Sequence, residues 1–177
     1  PVDHVGLTWS TGTRYAGGNA THDGLSAAGR DVVAALDDAG IVHDLSHLSD
    51  KAFDDVMTHA TGRVVATHSN CRAIAGDDPR HLEDHQVRAI GERGGIVGLN
   101  LYRRFIGRGE VTASDAIDHV ERVAQLMGRR DAVALGSDLD GGFGRDGLPV
   151  DVQGPEAFEV LAACLLYTSD AADEGHC

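Results

Sequence analysis

Aromatic side chains are scarce, at 5% of the chain. No apolar run approaches the roughly 18 consecutive residues that a membrane span requires, so membrane association is not supported by these residues. Basic residues are outnumbered 15 to 28 by acidic ones, for a formal charge of −13. A surface this acidic repels nucleic-acid backbones and anionic bilayers, and neither is an expected partner. Cysteine is also sparse. Cys71, Cys164 and Cys177 have no CxxC spacing and form no even-numbered framework, which argues against a disulfide scaffold. A reducing compartment, the cytoplasm, is the default location. The location itself stays open, because the opening residues PVDHVGLTWS include no initiator Met and no signal-peptide pattern, and an upstream targeting segment could be missing.

What is present is an alternation. Short apolar runs rich in β-branched residues, at 5–7, 41–45, 64–67, 96–100 and 132–136, are separated by longer segments of helical period. This is the pattern of parallel βαβ units with covered strands and predicts an α/β fold. Ser26 is expected to cap a helix that carries Val32, Val33 and Leu36 on one face and closes at Gly40. Ser49 or Asp50 opens one that buries Phe53, Val56 and Met57, and Glu83 or Asp84 opens one that turns Val87 and Ile90 inward. After Ser114 the apolar residues Ile117, Val120, Val123, Leu126 and Met127 fall at three- and four-residue steps, with Gly128 as the closing glycine. No repeat, low-complexity tract or linker divides residues 1–163, which read as one piece of one domain.

Residues 164–177 read differently. The string CLLYTSDAADE, residues 164–174, breaks the helical pattern that begins near Pro155. It is identical to one translated frame of a transposase adaptor used in sequencing libraries. We expect this tail to be adaptor-derived and not native, with residues 175–177 coming from the adjoining index, and exclude it from fold reasoning.

Each apolar run ends in polar residues suited to metals or substrates: Trp9 and Ser10; Asp44, Ser46 and His47; His68 and Ser69; Asn100; Ser137, Asp138 and Asp140. In a parallel barrel these C-terminal strand ends share one rim, so residues distant in sequence converge. Two imidazoles from adjacent strand ends suit a borderline-soft divalent ion such as zinc. Any one of the ten histidines could equally be a hydrogen-bonded or solvated residue, and it is the combination of His47, His68 and Asp138 that points to a metal.

The strings GLTWS, DLSH, THSNCRAIAGDDPRHLED, GGIVGLN and ALGSDLDGG occur in the order and near the spacings of the membrane (renal) dipeptidase family, the zinc metallopeptidases of family M19. Nearly all of residues 1–163 resembles that family. The resemblance implies a (β/α)8 TIM barrel, of which about the last five strands are here, since a complete barrel takes about 250 residues. It also implies a metallodipeptidase, hydrolysing dipeptides at a site with two Zn2+ ions that make hydroxide available near neutral pH. His47 and His68 match the two histidine ligands of one zinc. Arg80, in PRHL, matches the arginine that holds the substrate carboxylate, a job that suits a guanidinium's bidentate pairing. Asp138 matches the carboxylate that hands a proton to the leaving amine. Trp9 stands where some relatives place a substrate-binding histidine, and Asp140 is read as a structural turn acid.

There are departures. Family members carry an HxD motif on the first strand and a bridging Glu on a strand earlier than any present here, and neither occurs in this chain, so half of a metal centre is expected and the fragment by itself is expected to be inactive. Arg80 lies one residue further from THS than in the family pattern. Cys71 is read as a small buried thiol and not as a ligand or nucleophile. Two other classes remain: a barrel amidohydrolase of another amide or ester, and an inactive fragment or binding module. A GxGxxG phosphate loop, which would favour the last, is missing. A homodimer is among the oligomeric states the sequence allows.

Overall fold

The computed structural model describes residues 2–139, 141–152, 159, 161 and 162. The tail from 164 onward, most of the segment after Pro155, and Asp140 lie outside these residues. Five short strands, β1 (His4–Gly6), β2 (Val42–Asp44), β3 (Val64–Val65), β4 (Val97–Leu99) and β5 (Val133–Leu135), fall on the five apolar runs. All pairings are parallel. One sheet has the order β1-β2-β3 and the other is β4-β5, and a parallel bridge from Ala66 to Val97 links them. The alternation therefore gives the expected α/β class. Both sheets are open, and the described residues do not close into a barrel.

The helices are α1 (Ala27–Asp38), α2 (Asp50–His59), α3 (Arg72–Ala75), α4 (Asp84–Glu92), α5 (Arg103–Ile106) and α6 (Ala113–Met127). Their starts follow from side chains that accept the otherwise unpaired first N–H groups. Ser26 Oγ accepts from Gly29 N, Ser49 Oγ accepts from Ala52 N, and Glu83 and Gln86 form a reciprocal capping box. The last long helix begins earlier than expected from Ser114. Thr112 is its cap, because the Asp115 carboxylate reaches back to the Thr112 N–H and hydroxyl. Gly128 closes it with φ 70°, as its position predicts. The one-turn helices α3 and α5 carry too few residues to show a period, and the sequence reading missed them.

Two apolar clusters hold the layers together. The first joins β1–β3 to α1, α2 and α4 through Val33, Phe53, Val56, Val64, Val87 and Ile90. The second packs Leu101, Ile106, Ile117 and Val120 beneath the loop that carries Leu148. Two strand glycines set how closely the two sheets approach. A Cβ on Gly98 or Gly136 would fall 1.9 or 1.8 Å from the Thr67 carbonyl oxygen, so only glycine lets β4 and the end of β5 close onto the end of β3.

Candidate metal centre

With every strand parallel, all C-terminal ends face one way, and the residues that follow them meet there. Asp44 ends β2 and organises the rim. Its Oδ1 accepts from the Ser46 and Thr67 backbone N–H groups, both at 3.0 Å, and its Oδ2 accepts the Thr67 hydroxyl proton at 2.6 Å. A hydroxyl that has given its single proton to a carboxylate can only accept from a ring nitrogen. Thr67 Oγ1 lies 2.7 Å from His68 Nδ1, so His68 carries its proton on Nδ1 and leaves Nε2 as a lone pair. His47 is fixed in the same sense by Asn19, whose Oδ1 is 3.1 Å from His47 Nδ1 and whose backbone N–H donates to the His47 carbonyl.

The two free Nε2 atoms face each other at 2.9 Å. Lone pair against lone pair is unfavourable unless a cation lies between them. Two nitrogens on a tetrahedral zinc, each about 2.05 Å from the ion, would stand about 3.3 Å apart, so the rings need to part by only a few tenths of an ångström. Burial holds both imidazoles neutral. It pushes His47 down to about 3, helped by the nearby charge of Arg80 and by the cost of protonating His47 and His68 side by side, and opposed by Asp44. It also lowers His68, with Arg80 acting in the same direction and Asp44 and Asp138 against it. Neutral imidazole is the form that binds metals. The donor set stops at two, since among the described residues no group of three or more His, Cys, Asp or Glu converges on one point.

His47 and Asp138 share a second property. Among the described residues they alone, apart from glycines, have positive φ, at 69° and 57°. Each such residue costs about 1–3 kcal/mol and persists where its surroundings dictate the geometry. Around Asp138 those surroundings are the Gly141 N–H, which donates to its carbonyl, and the Asn100 amide, which donates to Oδ2 at 3.0 Å. Asn100 is in turn clamped by Asn70, which accepts its N–H and donates to its carbonyl.

A cavity of about 400 Å³ lies over this rim, lined by Trp9, His47, His68, Tyr102, Phe105, Asp138 and the turn from Gly141 to Phe143. Four of the five residues singled out from sequence thus line one space. Trp9 is 67% exposed, with its ring centroid 6.1 Å from that of His47. Arg80 is placed otherwise. It is only 5% exposed, its Nη2 donates to the His68 carbonyl at 2.6 Å and its Nη1 to Ser69 Oγ at 3.2 Å, its Nε has no partner, and its guanidinium lies over the Phe105 ring. It therefore bears on His68 from behind, and burial lowers it to about 10. Cys71 is 1% exposed, as expected, and its thiol is pushed up to about 12 by burial. Asp140 is outside the described residues.

Sequence reasoning did not single out Asn19, Thr67, Tyr102, Phe105 or Phe143. Thr67 had a readable signal, being the hydroxyl immediately before a strand-end histidine. Asn19 had none, because the loop that brings it back to His47 leaves no periodic trace.

A facing pair of neutral imidazoles, with a carboxylate on a positive-φ residue beside it at the C-terminal rim of a parallel α/β fold, is an arrangement suited to holding a metal ion. More particularly, the chain belongs to the membrane dipeptidase family, peptidase family M19, whose model matches residues 2–170. Among its relatives is a Klebsiella pneumoniae protein, described as an uncharacterized protein in the pqqA 5′ region. It is 37% identical over 153 residues, covering 79% of this chain and 56% of that one. The dipeptidase aclJ of Aspergillus oryzae is 33% identical over 147 residues, covering 79% and 34%. The structure of a Rhodobacter sphaeroides metallo peptidase, liganded with a phosphinate mimic of the dipeptide L-Ala-D-Ala, superposes with a TM-score of 0.85 at 31% identity, covering 94% of this chain and 49% of that one. The chain spans about half or less of the length of these relatives.

Proposed function

We propose that the protein to which this chain belongs is a zinc-dependent dipeptidase, and that residues 1–163 are about five strands of its (β/α)8 barrel. The observation that carries this reading is the pair of free Nε2 atoms, 2.9 Å apart at the floor of the cavity. His47 and His68 would hold one zinc. The remaining ligands of a two-zinc centre, the HxD pair and a bridging Glu, would come from residues this chain does not contain. Bound zinc supplies Lewis acidity and lowers the pKa of water to about 7, so that a nucleophile is available near neutral pH.

The chain's own residues take the other parts. Asp138, held by Asn100 at the cavity wall, takes up a proton from the hydrolytic water and passes it to the departing amine nitrogen, as a positioned general base and then acid does. Arg80 sets the field at the site and attracts the substrate's terminal carboxylate. Its partners, the His68 carbonyl and the Ser69 hydroxyl, are both neutral, so the buried charge has no anion bonded to it. Trp9 covers one side of the cavity and limits what can lie beside the scissile bond. That the Rhodobacter protein is liganded with a phosphinate mimic of a dipeptide supports this reading.

The test is hydrolysis of a dipeptide panel by the zinc-loaded parent protein. We expect turnover of dipeptides, little of longer peptides, and a loss of at least about a thousandfold in kcat/KM for Asp138→Asn with zinc content unchanged. Zinc-loaded parent that leaves dipeptides intact while cleaving other amides or esters would overturn the dipeptidase reading.

A further inference from the structure

Beside the histidine cavity lies a smaller one of about 260 Å³, whose lining includes Tyr102, Arg103, Arg104, Gly142, Phe143 and Asp146. The two cavities share Tyr102, Gly142 and Phe143, and the Tyr102 and Phe143 rings stack there at 4.7 Å between centroids. Among the described residues five of the chain's 15 basic residues, Lys51, Arg72, Arg122, Arg129 and Arg130, are ion-paired, and others, such as Arg63, Arg88 and Arg108, are not. Arg103 and Arg104 belong to the second group. Among the described residues neither forms an ion pair or side-chain hydrogen bond, although Asp146 lines the same cavity. Two arginines and one aspartate thus line this cavity with no ion pair among them, in a chain whose formal charge is −13.

We propose that this annex is a subsite for an anionic side chain, so that the protein selects dipeptides containing an aspartyl or glutamyl residue. The proposal rests on the dipeptidase reading for the nature of the substrate. It does not depend on Arg80, which lies behind His68 and is read as serving the main-chain carboxylate. A second carboxylate on the substrate needs a second cationic partner, and planar guanidinium groups match it bidentately. Both arginines reach solvent, so the gain is modest and screened by salt.

Calorimetric titration of the metal-free parent protein with glycyl-aspartate and with glycyl-asparagine isolates the side-chain charge, because both ligands share the same termini. We expect glycyl-aspartate to bind about fivefold more tightly at low salt. The preference should vanish in the Arg103→Gln/Arg104→Gln double variant, with glycyl-asparagine binding unchanged. Equal binding of the two dipeptides, binding of neither, or a preference that survives in the double variant would overturn the subsite. If the zinc-loaded parent hydrolyses no dipeptide while the charge preference persists, the dipeptidase reading fails and the anion subsite stands. Hydrolysis without any acidic preference does the reverse.

Discussion

The imidazole of His68 is aimed by the Thr67 hydroxyl, which is itself aimed by the Asp44 carboxylate, and the chain of 2.7 and 2.6 Å contacts fixes which nitrogen is free for a metal. Groups that orient a ligand in this way typically contribute 10–100-fold to metal affinity. In Thr67→Val the Nδ1 proton loses its acceptor and Asp44 loses a donor, while the side-chain volume is kept. We therefore expect the parent protein's zinc affinity, measured by chelator competition, to fall about tenfold or more, with little change in overall secondary structure. An unchanged affinity would mean that the tautomer of His68 is set by something else. At this scale much of the site was legible: His47, His68, Asp138 and Trp9 were singled out as strand-end residues, and they line one cavity. The groups that hold them were less so. A hydroxyl or amide acting through another side chain has no spacing rule, and the burial of Arg80 depends on a loop path that residue type does not encode.

At the scale of the elements, the strands and long helices were readable because their apolar periods are strong and their caps are of the expected types. Ser26, Ser49 and Gly128 occupy the positions predicted for them. The start of α6 was misplaced because a Ser and a Thr lie two residues apart, and it is the reach of Asp115 that selects Thr112. Asp37, near the end of α1, shows how helices are tied to loops. Burial raises its pKa. Hydrogen bonds from the Thr61 N–H and hydroxyl, the Gly62 N–H and the His43 ring outweigh that and hold it at about 2, below an ordinary value of 3.8. A carboxylate depressed on folding stabilises the fold at pH above its unfolded value, and that contribution is lost as pH falls toward 2. Chemical denaturation of the chain and of Asp37→Asn should show the substitution costing roughly 2 kcal/mol at pH 6. The gap should narrow steadily below pH 4. A gap independent of pH would assign the cost to packing instead of charge.

At the scale of the whole molecule, the parallel strand order brings four of the five sequence-selected residues to one rim, although they span 9 to 138 in the chain. The class of fold was legible because alternating short apolar runs and amphipathic helices admit few other arrangements. Closure of a barrel is a property of strands that pair across its ends, and the two open sheets described here span only part of the relatives' length. The same limit applies to the candidate metal centre, to which the described residues bring two facing imidazoles and no group of three or more His, Cys, Asp or Glu. The most direct test is to determine the structure of the zinc-loaded parent protein with diffraction data on both sides of the zinc absorption edge. The account predicts an anomalous peak between His47 and His68, about 2.0–2.1 Å from each Nε2. Zinc bound elsewhere, or held without either of these nitrogens, would contradict it.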